Sequence, residues 1–394
     1  MRLARMAVML KDSPLSLEVI RELTADLVRI PSVNLSVAPD ECGDESAIAR
    51  YCCEWLTARG VRAWTEEVAP GRLNAIAEVV GGEGPTLALC AHLDTVSSTG
   101  MTIPPFEPRV EGDRLYGRGS YDMKGSLAAI MCVAASLVGQ SFGGRLLLAM
   151  VCDEEFASIG ASDFVRRHKA DACIVTEPCA LQLVLAHKGF VWAEVTTLGR
   201  AAHGSRWDLG DSAIAHMGRV IAALDAFDRE TLRVRTHPLL GPASMHPAIV
   251  AGGAGLSTYA PECTLKIERR TLPDESPERV LEELRAVATA VSPGSRVELL
   301  LDRPPLSCDA NSPVARAVRE AARTELGRAA EEVGVGFWMD AAIFEAAGIP
   351  TVNLGGDGAG AHEAVEWVSL ESLATCARIY ERSVRCFMQE FARS

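Results

Sequence analysis

The chain has 394 residues, with a hydrophobic content of 48%, a charged content of 23% and a formal net charge of −13. These proportions are those of an ordinary globular protein, and the length predicts two domains rather than a single core. The acidic balance and the lack of a basic run argue against nucleic acid or an acidic membrane surface as the main partner, because phosphate binding requires clustered lysine and arginine.

The 12 cysteines are scattered, without a Cys-x-x-Cys pair, and several lie inside apolar, strand-like runs. A reduced thiol behaves there as a small hydrophobe, so this usage predicts a reducing, cytoplasmic compartment. The first ten residues lack the continuous apolar segment and cleavage site of a secretion signal, and no run approaches the length of a membrane span.

Up to Lys188 the chain alternates predicted helices and strands, which favours an open, largely parallel sheet. Helical periodicity begins at Ser16, at Asp44 and again after Gly125. The predicted strands of this part are Arg62–Val68, Asn74–Val80, Thr86–Ala91, Leu146–Cys152 and Asp171–Val175.

The pattern changes at Gly189, and residues 189–305 predict a smaller α+β domain inserted into the larger one. Its predicted strands and helices are Phe190–Thr197, Ser212–Phe227, Pro247–Gly252, Cys263–Arg269, Ser276–Val291 and Arg296–Leu301. Residues 306–394 then complete the larger domain, which residues 1–188 begin, and we interpret Asp340 as the cap of a helix there. The predicted fold class is α/β, with helices on both faces of a mostly parallel sheet.

One apolar strand ends abruptly on three consecutive carboxylates, Asp153, Glu154 and Glu155. Ligands bind at the carboxyl ends of strands in α/β sheets, but neighbouring side chains of a strand point apart unless the chain turns. The next residues, 156–160, are typical of a turn into a helix. Taken alone, the three acids fit a solvated helix N-terminus equally well, because the macrodipole favours negative charge there.

Other strand ends carry metal-ligand chemistry as well. His92 and Asp94 follow one predicted strand, Glu177 follows another, His362 follows a glycine-rich loop, and Asp122 lies in a glycine-flanked loop. Carboxylates mixed with only two imidazoles suit zinc, cobalt or manganese better than a cysteine-dominated structural site.

These motifs resemble the di-zinc amidohydrolase and peptidase family that includes acetylornithine deacetylase, succinyl-diaminopimelate desuccinylase, aminoacylase and glutamate carboxypeptidase. The resemblance covers nearly the whole chain. The motifs that carry it are His92-Leu-Asp-Thr-Val96, Gly117-Arg-Gly-Ser-Tyr-Asp-Met-Lys-Gly125, Asp153-Glu-Glu155, Thr176-Glu-Pro178, Gly199-x-x-x-His203-Gly-Ser205 and Ala361-His362.

The resemblance implies two Zn²⁺ per subunit, with Co²⁺ or Mn²⁺ as alternatives. His92 and Glu177 would hold one metal, Glu155 and His362 the other, and Asp122 would bridge both. Two such ions polarise a scissile carbonyl and lower the pKa of a shared water.

Two further residues receive roles at this centre from the resemblance. Glu154 would be the general base toward the shared water and then the proton donor to the leaving amine. Asp94 would accept the free N–H of His92 and fix its tautomer.

The inserted domain is expected, from the same resemblance, to be a ferredoxin-like dimerisation and lid domain. His203 would reach the active site of the partner subunit in a homodimer and stabilise the oxyanion there. Arg270 would grip a substrate carboxylate, and the backbone of Gly355 and Gly356 would line the same pocket. The family often has asparagine where Thr258 stands, so the substrate preference here is open.

The expected activity is hydrolysis of the amide bond of an N-acyl amino acid or short peptide. A metallo-exopeptidase of the dipeptidase or glutamate carboxypeptidase type shares every motif and stays an alternative. A non-catalytic, metal-dependent binding protein on the same scaffold is a more remote one, because Glu154 and all the metal-ligand positions are retained.

Overall fold

A computed structural model describes residues 13–41 and 43–391 of the chain. The predicted absence of a secretion signal concerns the first ten residues, which lie outside these ranges, as does Cys42. Within the described part no helix is both long and apolar enough to cross a membrane. The other eleven cysteines are all free thiols.

The described ranges contain nine α-helices: α1 (Leu17–Val28), α2 (Glu45–Thr57), α3 (Gly125–Ser136), α4 (Ile159–Arg167), α5 (Ala213–Glu230), α6 (Pro277–Val291), α7 (Pro313–Leu326), α8 (Ala341–Ala346) and α9 (Leu370–Phe391). The strands are β1 (Arg62–Ala69), β2 (Arg72–Val80), β3 (Thr86–His92), β4 (Arg109–Glu111), β5 (Arg114–Tyr116), β6 (Arg145–Val151), β7 (Ala172–Val175), β8 (Leu183–His187), β9 (Gly189–Leu198), β10 (Thr236–His237), β11 (Gly241–Pro242), β12 (Ser244–Gly252), β13 (Glu262–Thr271), β14 (Arg296–Arg303), β15 (Leu306–Ser307), β16 (Glu332–Val335), β17 (Thr351–Asn353), β18 (Gly358–Ala359) and β19 (Trp367–Ser369).

The described chain forms two compact units. The larger unit comprises the residues up to Leu185, Cys308–Val333 and those from Met339 onward, and the inserted unit comprises Ala186–Ser307 and Gly334–Trp338. The sequence placed the boundaries after residues 188 and 305. It did not predict that a short return segment, Gly334–Trp338, belongs with the inserted unit.

The main sheet of the larger unit has the strand order β1-β2-β6-β3-β7-β17-β8. The four central strands, β6, β3, β7 and β17, are parallel, and antiparallel strands flank them on both sides. Almost every residue of β3 and β6 is buried, as expected for strands that are covered on both faces. The predicted mostly parallel α/β sheet is confirmed.

Helices cover both faces of this sheet. On one face, α1, α2, α3, α7 and α9 share a continuous apolar core with alternate strand residues such as Leu87, Leu89 and Leu148. On the other, α4 and α8 contact β6, β7 and β17, and their Phe164 and Phe344 rings lie 5.6 Å apart. Because the four central strands run in the same direction, their carboxyl ends all lie at the same edge of the sheet.

The inserted unit follows the chain order β9-α5-β12-β13-α6-β14 and has the antiparallel strand order β12-β13-β9-β14. This is the ferredoxin-like arrangement that the sequence predicts for the insertion. Alternate residues of β9, namely Val191, Ala193 and Val195, pack with Met217 and Leu224 of α5 in its apolar core. Successive side chains of the strand therefore alternate between the apolar core and the opposite face of the sheet.

A carboxylate clamp fixes the loop that follows β3. Glu41 accepts hydrogen bonds from the Ser97 hydroxyl, from the Ser98 N–H and hydroxyl at 3.0 and 2.6 Å, and from the Thr99 hydroxyl at 3.1 Å. Burial by itself would raise the pKa of Glu41, but these donors lower it to about 2.

The clamp predicts a pH-dependent contribution to stability. Because the pKa of Glu41 is lower in the folded than in the unfolded chain, its contribution is present above pH 4.5 and is lost as the pH falls toward 2. Glu41→Gln should lower Tm by about 2 °C at pH 7. In thermal unfolding, the difference from the wild type should shrink between pH 4.5 and pH 2.

Glu83→Gln is the control, since this exposed glutamate lies on the turn between β2 and β3. It should leave Tm unchanged at either pH. A Glu41→Gln effect that is equal at pH 7 and pH 2 would show that the carboxylate charge has no part in the clamp.

Candidate metal centre

Four strand ends bring the predicted ligands together. His92 ends β3, Glu154 and Glu155 follow β6, Glu177 follows β7, and the loop that leads to His362 follows β17. Because these four strands are parallel and adjacent, residues far apart in sequence reach one edge of the sheet.

One group of possible ligands consists of His92, Asp122 and Glu177. The Nε2 atom of His92 lies 3.0 Å from Asp122 Oδ1 and 3.6 Å from Glu177 Oε1. The second group consists of Asp122, Glu155 and His362, with His362 Nε2 at 3.2 Å from Asp122 Oδ2 and 3.1 Å from Glu155 Oε2. Asp122 therefore presents one oxygen to each group.

The chemistry of this donor set fits cations. Burial and the neighbouring charges of Asp122 and Glu155 raise the pKa of Glu177 well above its usual range. Contacts with Asp122 and Glu155 raise the pKa of His362 to about 10. In addition, Glu155 Oε1 is buried and accepts no hydrogen bond from any described residue. Bound cations would offset this accumulation of negative charge and supply the missing partner.

Glu154 lies in the same electrostatic environment. Burial raises the pKa of its carboxyl well above the usual range, and the charges of Glu177, Asp340 and Glu155 add to the effect, whereas His92 opposes it. Glu154 and Glu155 therefore both belong to the buried cluster around His92.

The chain turns sharply at Asp153, directly before the two adjacent glutamates. Asp153 has a φ of 71°, in the left-handed region, and its carbonyl accepts the N–H of Ala157 at 3.1 Å. The residue is almost completely buried. The alternative of a solvated acidic helix N-terminus is therefore wrong for Asp153.

Asp94 supports this turn in a way that the sequence did not predict. Its Oδ1 and Oδ2 atoms accept the backbone N–H groups of Glu154 at 3.1 Å and Glu155 at 3.0 Å. The nearest acceptor for Nδ1 of His92 is the backbone oxygen of Asp94 at 3.0 Å, while the Asp94 carboxylate oxygen is 3.6 Å away. Asp94 thus contacts His92 mainly through its backbone, and its carboxylate anchors the two glutamates.

The loop that carries Asp122 is held by Glu366, a residue that sequence reasoning missed. Glu366 is fully buried and accepts hydrogen bonds from the N–H groups of Gly119, Tyr121 and Asp122 at 3.0, 2.9 and 3.1 Å. The Arg118 guanidinium donates to it at 2.8 Å. In the sequence, the one sign that Glu366 belongs to this centre is that it lies four residues after His362.

The glycine loop after β17 approaches Glu177 closely. A Cβ atom at Gly355 would lie 2.2 Å from the carbonyl oxygen of Glu177, so a side chain cannot be accommodated there. The carbonyls of Gly355 and Gly356 accept the N–H groups of Leu181 and Ala180 at 2.9 and 3.0 Å. These contacts fix the backbone beside a metal-ligand candidate, and the role of both glycines in lining a substrate pocket stays a prediction.

The expectation that Asp340 caps α8 is wrong. Its side chain makes no capping hydrogen bond, because the residue already has helical dihedral angles, with φ of −55° and ψ of −16°. Its carboxyl is buried instead, close enough to raise the pKa of Glu154 and of Glu177.

His203 and Arg270 belong to the inserted unit. His203 is exposed, its backbone forms an antiparallel bridge with Thr258, and its Nδ1 accepts the N–H of Ser205 at 3.2 Å. The ring proton of the neutral imidazole therefore resides on Nε2. The position at which the family often has asparagine is thus a direct neighbour of His203.

Arg269 and Arg270 differ in their surroundings. Arg269 is buried and forms an ion pair with Glu275, whereas the Arg270 side chain is partly exposed, pairs with Glu268 at 2.6 Å and lies 5.2 Å from the Phe190 ring centroid. Of the two, Arg270 is the one that is accessible to a ligand.

Comparison with known proteins identifies the family. A sequence profile of peptidase family M20/M25/M40 matches residues 88–385. The acetylornithine deacetylase of Vibrio cholerae serotype O1 is 28% identical over 381 residues, which span 93% of this chain and 98% of that protein. The acetylornithine deacetylase of Myxococcus xanthus is 30% identical over 86% of this chain and 91% of its own length.

Solved structures show the same fold. Aminopeptidase PepT from Bacillus cereus superimposes with a TM-score of 0.79 at 18% identity, over 94% of this chain and 99% of that one. The YXEP protein of Bacillus subtilis, described as a dinuclear metal binding peptidase, gives a TM-score of 0.74 at 18% identity, over 95% and 98% of the two chains. The resemblance drawn from the motifs is confirmed: this chain belongs to peptidase family M20/M25/M40 and is a metal-dependent hydrolase of amide bonds.

Proposed function

We propose that the protein hydrolyses the amide bond of N-acyl amino acids, with Glu154 as the general base. The observation that carries this proposal is the arrangement of Glu154 beside two ligand groups that share Asp122. Metal ions bound there would supply Lewis-acid activation of the carbonyl and a water of lowered pKa. The relatives of similar length that are named acetylornithine deacetylase favour an acyl amino acid over a peptide.

Each residue then has a role in the reaction. His92 and Glu177 would hold one metal, Glu155 and His362 the other, with Asp122 shared between them; zinc is the metal that we propose, and cobalt or manganese would suit the same ligands. Glu154 takes a proton from the attacking water and transfers it to the leaving amine. Burial and the neighbouring carboxylates raise the pKa of Glu154, and a higher pKa makes its carboxylate a stronger base toward the water.

Substitution of Glu154 should greatly reduce turnover, while the protein still binds its metal ions. Glu154→Gln keeps the size of the side chain but cannot take a proton, so kcat should fall by about 10²–10⁴-fold. The measurement is hydrolysis of N-acetyl and N-succinyl amino acids and of dipeptides, with metal content determined on the same samples. Glu320→Gln on the exposed face of α7 is the control and should retain full activity.

The same substrate panel separates the deacylase from the exopeptidase. Activity on dipeptides alone would show that the protein is an exopeptidase and not a deacylase. Undiminished hydrolysis by Glu154→Gln would contradict the mechanism, and so would wild-type activity that survives complete chelation.

Glu366 should control how tightly the centre retains its metal, because it fixes the backbone that presents Asp122 to both ligand groups. Glu366→Gln removes one acceptor oxygen and the charge that Arg118 faces, and metal affinity should fall by about 10–100-fold. Titration calorimetry of the metal-free protein measures this change directly.

The matched control is Glu325→Gln. This glutamate accepts hydrogen bonds from Arg378 and Arg382 at 3.2 and 2.7 Å in the same unit but lies on α7. It should bind metal as the wild type does. Equal metal affinities for Glu366→Gln and the wild type would remove Glu366 from the support of the centre.

Substrate recognition and assembly involve the inserted unit in this proposal. We assign the substrate carboxylate to the partly exposed Arg270, whose planar guanidinium suits bidentate binding. We assign dimerisation to the β12 edge of the four-stranded sheet, because this edge strand pairs only with β13 within the sheet and exposes Ile249 and Val250. His203, with a proton on Nε2, is suited to donate to an oxyanion in the partner subunit.

The assignment of His203 to the partner's site makes a complementation prediction. Glu154→Gln and His203→Ala homodimers should both be inactive, but heterodimers formed by unfolding and refolding the mixture should contain one site with Glu154 and a donated His203. About a quarter of wild-type activity should return, because half of the dimers are mixed and each has one intact site. The measurement is the rate of substrate hydrolysis by the mixture of the two variants before and after refolding.

Refolding each variant by itself is the control and should restore no activity. A mixture that stays inactive, although size-exclusion chromatography shows dimers, would place His203 in its own subunit's site. A monomeric wild type would contradict the dimer itself.

A further inference from the structure

We propose that Asn34 is a positioning residue for the reaction, because a single side-chain nitrogen of Asn34 holds together the two carboxylates that shape the Glu154–Glu155 turn. Its Nδ2 atom donates to Asp94 Oδ2 at 2.8 Å and to Asp153 Oδ1 at 3.0 Å. The inference rests on the proposed function of Glu154 and extends it to a residue that no motif of the sequence singled out.

The orientation of the Asn34 amide is determined by its other contacts. Its Oδ1 atom accepts the backbone N–H of Ser36 at 3.0 Å, so the opposite end of the amide must be the NH₂ group. The backbone of Asn34 is also fixed, since its N–H donates to the carbonyl of Thr95 at 2.9 Å. The side chain is completely buried, and both of its hydrogens are directed at carboxylates.

These two carboxylates control opposite sides of the turn. Asp94 accepts the N–H groups of Glu154 and Glu155, and therefore sets where their side chains begin. Asp153 supplies the left-handed residue at the bend, and its carboxylate binds the Arg72 guanidinium at 2.6 Å. Through its hydrogen bonds to both carboxylates, Asn34 links Asp94, which holds the backbone of the two glutamates, to Asp153 at the bend.

Charge makes this bridge more than a packing contact. Asp94 and Asp153 are both buried, and two like charges around one point repel strongly where water is excluded. Arg72 offsets the charge at Asp153 and also pairs with Glu45, which accepts the Asp153 N–H at 2.7 Å. At Asp94, the donors within 3.1 Å are the N–H groups of Glu154 and Glu155 and the Asn34 amide, which is the one that also reaches Asp153. The loss of that donor should therefore loosen the turn that places Glu154 and Glu155.

The decisive variant is Asn34→Asp, which keeps the shape of the side chain and an acceptor for Ser36 but replaces the shared donor with a third carboxylate. We expect kcat to fall by about 10–100-fold with KM changed less than about twofold, and metal affinity in the metal-free protein to fall by a similar factor. Amide hydrogen exchange at Glu154 and Glu155, measured without metal, should become at least about tenfold faster, because local opening is then less costly.

Two further variants separate positioning from general destabilisation. Asn311→Asp makes the same chemical change at an exposed loop position and should match the wild type in kcat, metal affinity and exchange. The double variant Asn34→Asp/Asp153→Asn exchanges donor and acceptor across the same contact at unchanged total charge. It should recover part of the lost kcat relative to Asn34→Asp, which a merely destabilised core would not do.

The outcomes distinguish this inference from the proposed function. If the wild type hydrolyses none of the amide substrates, the proposed function fails, and metal affinity and amide exchange still decide the role of Asn34. If Asn34→Asp retains wild-type exchange at Glu154 and Glu155 and wild-type metal affinity, Asn34 does not position the turn. If activity falls only in proportion to the folded fraction, the inference is overturned as well.

Discussion

Crowding of buried carboxylates at one edge of a parallel sheet is the constraint on which the rest of the structure depends. Asp122, Glu154, Glu155 and Glu177 converge there with only two imidazoles among them. Burial, together with the charges of the neighbouring carboxylates Asp122 and Glu155, raises the pKa of Glu177 well above its usual range. Such a cluster is stable only where cations, protons or fixed donors compensate the charge.

The scaffold meets this constraint with a second layer of buried polar groups. Glu366 orients the backbone of the Asp122 loop, and Asp94 orients the backbone of the two glutamates. Both therefore accept hydrogen bonds from peptide N–H groups rather than from the side chains of the candidate metal ligands. Arg118 and Arg72 supply the positive charge that this layer requires, one at each of the two loops. A site built in this way is pre-organised before any ion arrives.

The inserted unit contributes a different kind of chemistry. Its candidate residues are the donors Arg270, on β13, and His203, in the segment that follows β9, and both side chains are at least partly exposed. Donors of this kind suit recognition of a carboxylate and of an oxyanion, whereas the larger unit supplies the acidic, metal-binding chemistry.

The sequence by itself determined the α/β class, the inserted α+β segment and the identity of the ligand candidates. Long apolar runs that end on polar residues are visible in one dimension, and so are motifs with fixed local spacing, such as the one at His92. The two- to five-residue strands β4, β5, β8, β10, β11, β15, β18 and β19 were not predicted, because so few residues carry too little periodicity to detect.

Only the tertiary structure decided how the site is supported. Asn34, Arg72 and Glu45 each contact Asp153 across more than eighty residues of sequence, and nothing local marks them. Asp340 shows the converse, since its local sequence suggested a helix cap, whereas its packing makes it a buried carboxyl without a capping hydrogen bond. Hydrogen bonds between distant buried groups depend on which strands become neighbours, and that choice is made by the fold as a whole rather than by any segment of the chain.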